Sequence, residues 1–173
     1  MSQIYLLPTH SSWNSPLTIV SFLLSALILG VTAVAVLLVM DLKVSEVAGA
    51  VGTDVRRQIV HRSIVWLAVV AGGTAVITLI LNLILIANLS DGELSAQTSL
   101  VLLLGLYRPL FGLRYIALFT GVGWFGLTAF IFLRGKNPPF EMTTAIYLAC
   151  LLVLIAEILG RFLFYATHVR TGI

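Results

Sequence analysis

Two ionisable residues, Glu157 and Arg161, lie one helical turn apart in the last long apolar stretch of the chain. At about 100° per residue they share one face of a helix with Phe164 and His168. Because a charged group at membrane depth is costly, such side chains face protein or a water-filled cavity and find a partner there. The chemistry open to them is the handling of protons inside the membrane. This face therefore needs another surface of the protein to receive it.

Two interpretations of this face stay open. Glu157 and Arg161 can neutralise each other as an i, i+4 pair and fix the helix against its neighbours. Alternatively, the pair handles a proton or contacts a ligand headgroup, since Glu157 would lie about 12 Å below Tyr165 at ~1.5 Å per residue. His168 at the helix end is either a solvated or capping residue or a proton acceptor, because histidine changes its charge near neutral pH.

Composition decides the class of protein. Of the 173 residues, 60% are hydrophobic and only 10% are charged, and the mean hydropathy is +1.08. A soluble domain would have roughly a quarter of its residues charged, so this is an integral membrane protein. The net charge of +3 is small and no basic face appears, which argues against nucleic-acid binding. The single cysteine, Cys150, can form no internal disulfide and cannot hold an iron–sulfur cluster.

The apolar runs predict an all-α fold, a bundle of four transmembrane helices in one domain. The predicted spans cover about residues 17–40, 63–90, 114–133 and 144–168. Lysine and arginine concentrate in the first and third connections, at Lys43, Arg56, Arg57, Arg62, Arg134 and Lys136. By the positive-inside rule these connections lie in the cytoplasm, so both termini are predicted to lie outside.

Residues near the outer ends of the predicted spans suit the membrane interface. Trp13 precedes the first span, and Arg108 and Arg114 flank the start of the third. The arginines either extend to lipid phosphates or contact a partner protein or a ligand headgroup. The apolar run before Arg108 is too short to span the bilayer and suits an interfacial or docking segment.

Small and polar residues inside the spans predict close helix packing. Gly121, Gly123 and Gly126 make the third span slim. Asn82 is a lone amide in the second span, for which a hydrogen bond to another helix is preferred over ligand binding.

No metal or haem site is predicted. A b-type haem would need two histidines on facing helices at one depth. His61 lies at the cytoplasmic end of the second span, whereas His10 and His168 lie at the other surface.

The C-terminus carries a pattern that resembles the membrane-anchor subunit of the dimethyl sulfoxide reductase family. The pattern is E-x-x-G-R-x-x-F-Y-x-x-H, formed by Glu157, Gly160, Arg161, Phe164, Tyr165 and His168. The lead IYLLPTHSSWNSPLT is similar to the segment before the family's fifth span. The chain therefore looks like the last four of the family's eight spans. The family's quinol-reactive His and Glu are attributed to the first four, so neither is assigned to a residue of this chain.

The resemblance implies a role in anaerobic respiration in a bacterial or archaeal cytoplasmic membrane. An iron–sulfur subunit and a molybdopterin catalytic subunit would dock on the outer side, and electrons would pass to them from menaquinol. The anchor would perform no catalysis of its own, and a second chain carrying the missing spans, or a second copy of this one, could complete it. Glu157, Arg161, Tyr165 and His168 are then candidates for the quinol site or for proton handling, and Trp13, Arg108 and Arg114 for docking or headgroup contact.

The alternative is a stand-alone membrane scaffold or half of a dimerising transporter. A transporter should show a broken helix or several polar residues at the membrane midplane. Beyond Asn82 and Glu157 the sequence offers little of that kind, which favours the anchor.

Overall fold

A computed structural model of the protein describes residues 16–48, 52–90, 100–133 and 142–166, and four long helices account for most of these residues. The helices are α1 (Pro16–Val47), α2 (Thr53–Ser90), α3 (Arg108–Leu133) and α4 (Met142–Ala166). Within these described ranges there is no strand, and each of the four helices is long and apolar enough to cross a membrane. The predicted all-α class with four transmembrane helices is confirmed.

The first two helices continue beyond the predicted apolar spans, into the basic connection. No glycine or proline interrupts the chain between residue 41 and the end of α1, so the charged side chains there do not stop the helix. Leu42 and Ser45 on α1 and Val60 on α2 are buried in this extension. Gly52 precedes α2 with a φ of +84°, a left-handed conformation that glycine adopts without steric cost.

The third helix begins six residues before its predicted start at Arg114. Pro109 lies in its first turn, where a missing N–H breaks no helical hydrogen bond, so it does not delay the helix. A π-helical turn (Leu102–Leu106) precedes it, and the Tyr107 N–H donates to the Leu102 carbonyl at 3.0 Å. The short apolar segment therefore leads directly into α3.

The helices pack in a ring in which each contacts two neighbours: α1 lies on α2 and α4, and α3 lies on α2 and α4. The start of α1 meets the end of α4 at Phe22 and Phe164, and the start of α3 meets the end of α4 at Arg114 and Gly160, so α4 runs antiparallel to both neighbours. The buried contacts are rich in alanine, including Ala35, Ala71, Ala117, Ala149 and Ala156. Small residues let helix backbones approach closely, which is how helices associate within lipid.

One of the three glycines predicted to make the third span slim lies at a helix contact. A Cβ added to Gly121 would lie 3.0 Å from the carbonyl oxygen of Ala149 and 3.1 Å from Cγ2 of Val153 on α4. A Cβ added to Gly123 or Gly126 would have no atom within 4 Å apart from the nearby backbone of its own helix. The close approach of α3 and α4 therefore depends on Gly121.

Candidate functional site

The carboxylate of Glu157 is buried between α4 and α1, with 4% of the residue exposed. Its Oε2 atom accepts a hydrogen bond of 2.6 Å from the hydroxyl of Ser25. The surface that receives this face of α4 is thus the first half of α1.

Arg161 does not pair with Glu157 along α4. No ion pair joins the two among the described side chains; instead, Cζ of Arg161 lies 3.7 Å from the centre of the Phe22 ring. A guanidinium over an aromatic face is attracted by the negative charge of the ring face, more strongly when water is excluded. The direct i, i+4 pair, one of the two interpretations that the spacing left open, does not form; each side chain contacts α1 separately instead.

The guanidinium of Arg114 on α3 turns inward and lies against α4 at Gly160. A Cβ at Gly160 would stand 2.7 Å from Nε and 2.8 Å from Cζ of Arg114. The Nε atom is buried and has no hydrogen-bond partner in the described structure. Glycine at this position leaves the room that the guanidinium occupies.

These contacts border a cavity of about 110 Å³ between the four helices. It lies at the end of the bundle where α1 and α3 begin and α2 and α4 end, and it is partly open. Its polar lining combines the charged Arg114, Glu157 and Arg161 with Ser21, Ser25 and Asn82. The lining therefore offers one carboxylate, two guanidinium groups and several neutral hydrogen-bonding groups.

Apolar side chains form the rest of the cavity wall. Three rings, those of Phe22, Phe111 and Phe164, come from three different helices. Leu103 of the π-helical turn also lines the cavity, so the segment before α3 docks against the bundle at this point. A cavity with an apolar wall and a few convergent polar groups is typical of a small-molecule site.

The polar residues of α1 were not singled out from the sequence. Thr18, Ser21 and Ser25 are spaced by three and four residues, which places them on one helix face, and all three line the cavity. That spacing in an otherwise apolar span is the signal that would have found them. The spacing shows which face of α1 is polar, but it does not show that Glu157 of α4 packs against that face.

Asn82 bonds within its own helix, contrary to the predicted bond to another helix. Its Nδ2 atom donates to the carbonyl oxygen of Thr78 at 2.8 Å. The amide lies at the cavity, which it lines from α2.

Two of the predicted candidate residues lie outside the cavity lining. Tyr165 is half exposed, and its ring packs edge-on against Phe164 at 5.4 Å between centres. Arg108, the first residue of α3, is exposed. Trp13 and His168 lie outside the described residues.

No metal centre is found in the part of the chain that the structure describes, where His, Cys, Asp and Glu form no group of three.

The comparison with protein families decides the relationship. A family model described as DMSO reductase anchor subunit (DmsC) matches residues 1–167. The chain belongs to this family. No curated protein and no solved structure matches the chain.

The anchor-subunit pattern at the C-terminus coincides with the cavity. Glu157, Gly160, Arg161 and Phe164 belong to the pattern, and all four line the cavity. Tyr165 belongs to the pattern without lining the cavity, and His168 lies one residue beyond the family match. The predicted membership of the anchor family is confirmed, and the structure shows that most of the motif borders one site.

Proposed function

We propose that this chain attaches an iron–sulfur subunit and a molybdopterin catalytic subunit to the membrane and passes electrons to them from menaquinol. The observation that carries the proposal is the match to the DMSO reductase anchor family over residues 1–167, together with the four apolar helices. Such a complex would serve anaerobic respiration in a bacterial or archaeal cytoplasmic membrane. The chain itself performs no substrate chemistry.

The distribution of charge supports an orientation for the bundle. Lys43, Arg56, Arg57 and Arg62 all lie at the end where α1 meets α2, opposite the cavity. Because basic residues favour the cytoplasmic side, the cavity end and both termini face outward in the proposal. The third connection, with Arg134 and Lys136, lies outside the described residues.

Docking of the partners is assigned to this outer end. Arg108 is exposed there at the start of α3, and Trp13 stays a docking candidate from the sequence. Arg114, in contrast, points into the cavity, so its place in the proposal is with the ligand rather than with the partner surface. A second copy of the chain, or a chain that carries four more spans, could complete the anchor.

The helices favour an anchor over half of a transporter. Transporter sites are typically built at broken helices near the membrane midplane. Each of the four described helices runs from end to end without a break, including α2 at Gly72 and Gly73. The polar groups gather at one end of the bundle rather than at its middle.

The proposal includes no haem. Of the three histidines, His61 is the one within the described ranges. We expect the reduced-minus-oxidised spectrum of the purified complex to lack the α-band of a b-type haem.

Purification from native membranes tests the proposal. The tagged chain, extracted in mild detergent, should bring with it molybdenum, iron and two further subunits. A four-span membrane protein of another family, carrying the same tag, serves as the control and should bring none of them. The complex should also reduce a sulfoxide or N-oxide with a reduced naphthoquinone as donor. Recovery of the chain alone would contradict the proposal and favour the scaffold.

A further inference from the structure

We propose that the cavity between the four helices binds the phosphate group of an anionic phospholipid, held by the guanidinium groups of Arg114 and Arg161. The inference goes beyond the proposed function and does not depend on it, because it rests on the charges, the size and the position of the cavity. The lipid is then a bound component of the bundle.

Two partly buried cations at the cavity have no counter-charge. Within the described ranges, neither Arg114 nor Arg161 forms an ion pair or a side-chain hydrogen bond, and the carboxylate of Glu157 bonds to Ser25 instead. A guanidinium group keeps its charge in proteins, and a charge at membrane depth needs a partner. Two guanidinium groups against one carboxylate leave a surplus of one positive charge, which one phosphodiester group would neutralise.

Arg114 has an N–H group that needs an acceptor. Its Nε–H is buried without a partner in the described structure, and the guanidinium occupies the room that Gly160 leaves at the cavity. A buried N–H without a partner is costly. The Nε–H and a neighbouring N–H form a fork that matches two oxygens of a phosphate group, so one ligand satisfies both.

Arg161 is held at the cavity by an aromatic ring. Its Cζ atom lies 3.7 Å from the centre of the Phe22 ring, and both residues line the cavity. This contact uses no hydrogen-bond acceptor, so the N–H groups of Arg161 remain available to a phosphate oxygen.

The size of the cavity suits a compact group. Its volume of about 110 Å³ is smaller than the ~150 Å³ of an apolar cavity that accepts benzene. A phosphate group is more compact than an aromatic ring and carries its acceptors on every side. Because the cavity is partly open, the glycerol and the acyl chains of the lipid can remain outside the bundle.

The position of the cavity favours a lipid over free phosphate. The 25 residues of α4 extend over roughly 37 Å, which exceeds the ~30 Å thickness of the hydrocarbon core. Arg161 lies roughly 7–8 Å before the end of α4 at Ala166 and therefore near the boundary with the headgroups. Leu23 and Phe162, the chain neighbours of Phe22 and Arg161, are exposed apolar residues that suit contact with acyl chains.

Glu157 limits the site to a ligand with one negative charge. The carboxylate repels a phosphate, but it lies about 6 Å deeper along α4 than Arg161. Two attractive interactions against one repulsive interaction favour a monoanion. A zwitterionic headgroup adds a cation that the two guanidinium groups repel. Phosphatidylglycerol, whose headgroup has the phosphate as its one charged group, fits the cavity better than phosphatidylcholine.

Lipid binding to the full chain tests the inference without a variant. Native mass spectrometry of the tagged chain in detergent, titrated with phosphatidylglycerol or phosphatidylcholine of equal acyl chains, measures both affinities. We expect one phosphatidylglycerol to be retained, several-fold more tightly than phosphatidylcholine. Equal affinities, or binding of inorganic phosphate without binding of phosphatidylglycerol, would overturn the inference.

Arginine variants locate the site. Arg114→Gln and Arg161→Gln should each weaken phosphatidylglycerol binding by roughly 10-fold or more, the effect of losing one hydrogen bond to a charged group. Arg108→Gln makes the same change at an exposed arginine outside the cavity lining and should bind like the parent. An equal loss in Arg108→Gln would show a general attraction of lipid to basic residues and overturn the inference.

The carboxylate variant should change the affinity in the opposite direction. Glu157→Gln keeps an acceptor for Ser25 but removes the charge that repels the phosphate, so phosphatidylglycerol should bind more tightly. Weaker binding to a folded Glu157→Gln chain would overturn the inference. Lipid extracts of the parental chain purified from native membranes should also contain anionic phospholipid in an amount equal to the chain, and extracts free of it would contradict the proposal.

Discussion

The guanidinium of Arg114 on α3 lies directly over Gly160 on α4, in space that a side chain would otherwise fill. A Cβ at this position would be 2.7 Å from Nε and 3.0 Å from Nη2 of Arg114. Gly160 is also the glycine of the anchor-subunit pattern at the C-terminus. Position 160 therefore suits a glycine, because the guanidinium of Arg114 occupies the space that a larger side chain would need.

Gly160→Ala should displace Arg114 without unfolding the bundle. The clashing atoms belong to the end of a flexible side chain, and alanine adds helix propensity of roughly 0.5–1 kcal/mol, which offsets part of the strain. We therefore expect a change in stability within about 1 kcal/mol, but weaker binding of phosphatidylglycerol. Gly112→Ala is the control, because its Cβ meets no atom within 4 Å. Equal affinities of the two variants for phosphatidylglycerol would show that the position of Arg114 is unimportant.

Gly121→Ala should destabilise the contact between α3 and α4. The new Cβ would meet the backbone oxygen of Ala149 at 3.0 Å, and a backbone atom cannot move away as a side chain can. Overpacking of this kind costs roughly 1–3 kcal/mol. Thermal unfolding in detergent, followed by circular dichroism, measures the effect against Gly123→Ala, for which there is open space. Similar melting of the two variants would contradict the close contact.

Phe22→Leu should cost more stability than the loss of one aromatic contact. Phe22 packs edge-on against Phe164 at 5.5 Å and also lies 3.7 Å from Cζ of Arg161. The cation–π contact contributes about 2 kcal/mol when it is shielded from water. Phe162→Leu is a suitable comparison, since Phe162 has an edge-on contact with Tyr107 and is half exposed. A lower melting temperature for Phe22→Leu than for Phe162→Leu would measure the contribution of the Arg161 guanidinium. Equal melting temperatures would argue against that contribution.

Asp41→Asn should have little effect on stability. Arg56 Nη1 lies 3.5 Å from Asp41 Oδ2, but the two side chains are 49% and 63% exposed. Exposed ion pairs contribute less than about 1 kcal/mol because water and salt screen them. Leu42→Ala, at a buried neighbour, should cost roughly 2–5 kcal/mol in the same unfolding assay. A large loss in Asp41→Asn would mean that the extension of α1 depends on charge rather than on packing.

Local rules were enough to predict the all-α class, the number of spans and the face of α4 that carries Glu157 and Arg161. An apolar run must be long enough to cross the bilayer, and residues four apart must share a helix side. Helix ends were harder to predict. The charged residues after Met40 suggested a loop, but α1 continues to Val47 because nothing in the backbone stops it. The third span was predicted to begin at Arg114, but the helix begins at Arg108, with Pro109 in its first turn.

The sequence by itself thus determined a four-helix membrane protein of the anchor family and a polar face that carries Glu157 and Arg161. Only the tertiary structure decided that Ser25 receives Glu157, that Phe22 receives Arg161, and that Arg114 points inward while Arg108 stays exposed. The physical reason is that, apart from these few polar residues, the helices are apolar on the side facing protein as well as on the side facing lipid. An all-apolar helix has no periodic pattern that distinguishes the side facing protein from the side facing lipid. That choice is made by the shape and polar groups of the neighbouring helices once they pack together.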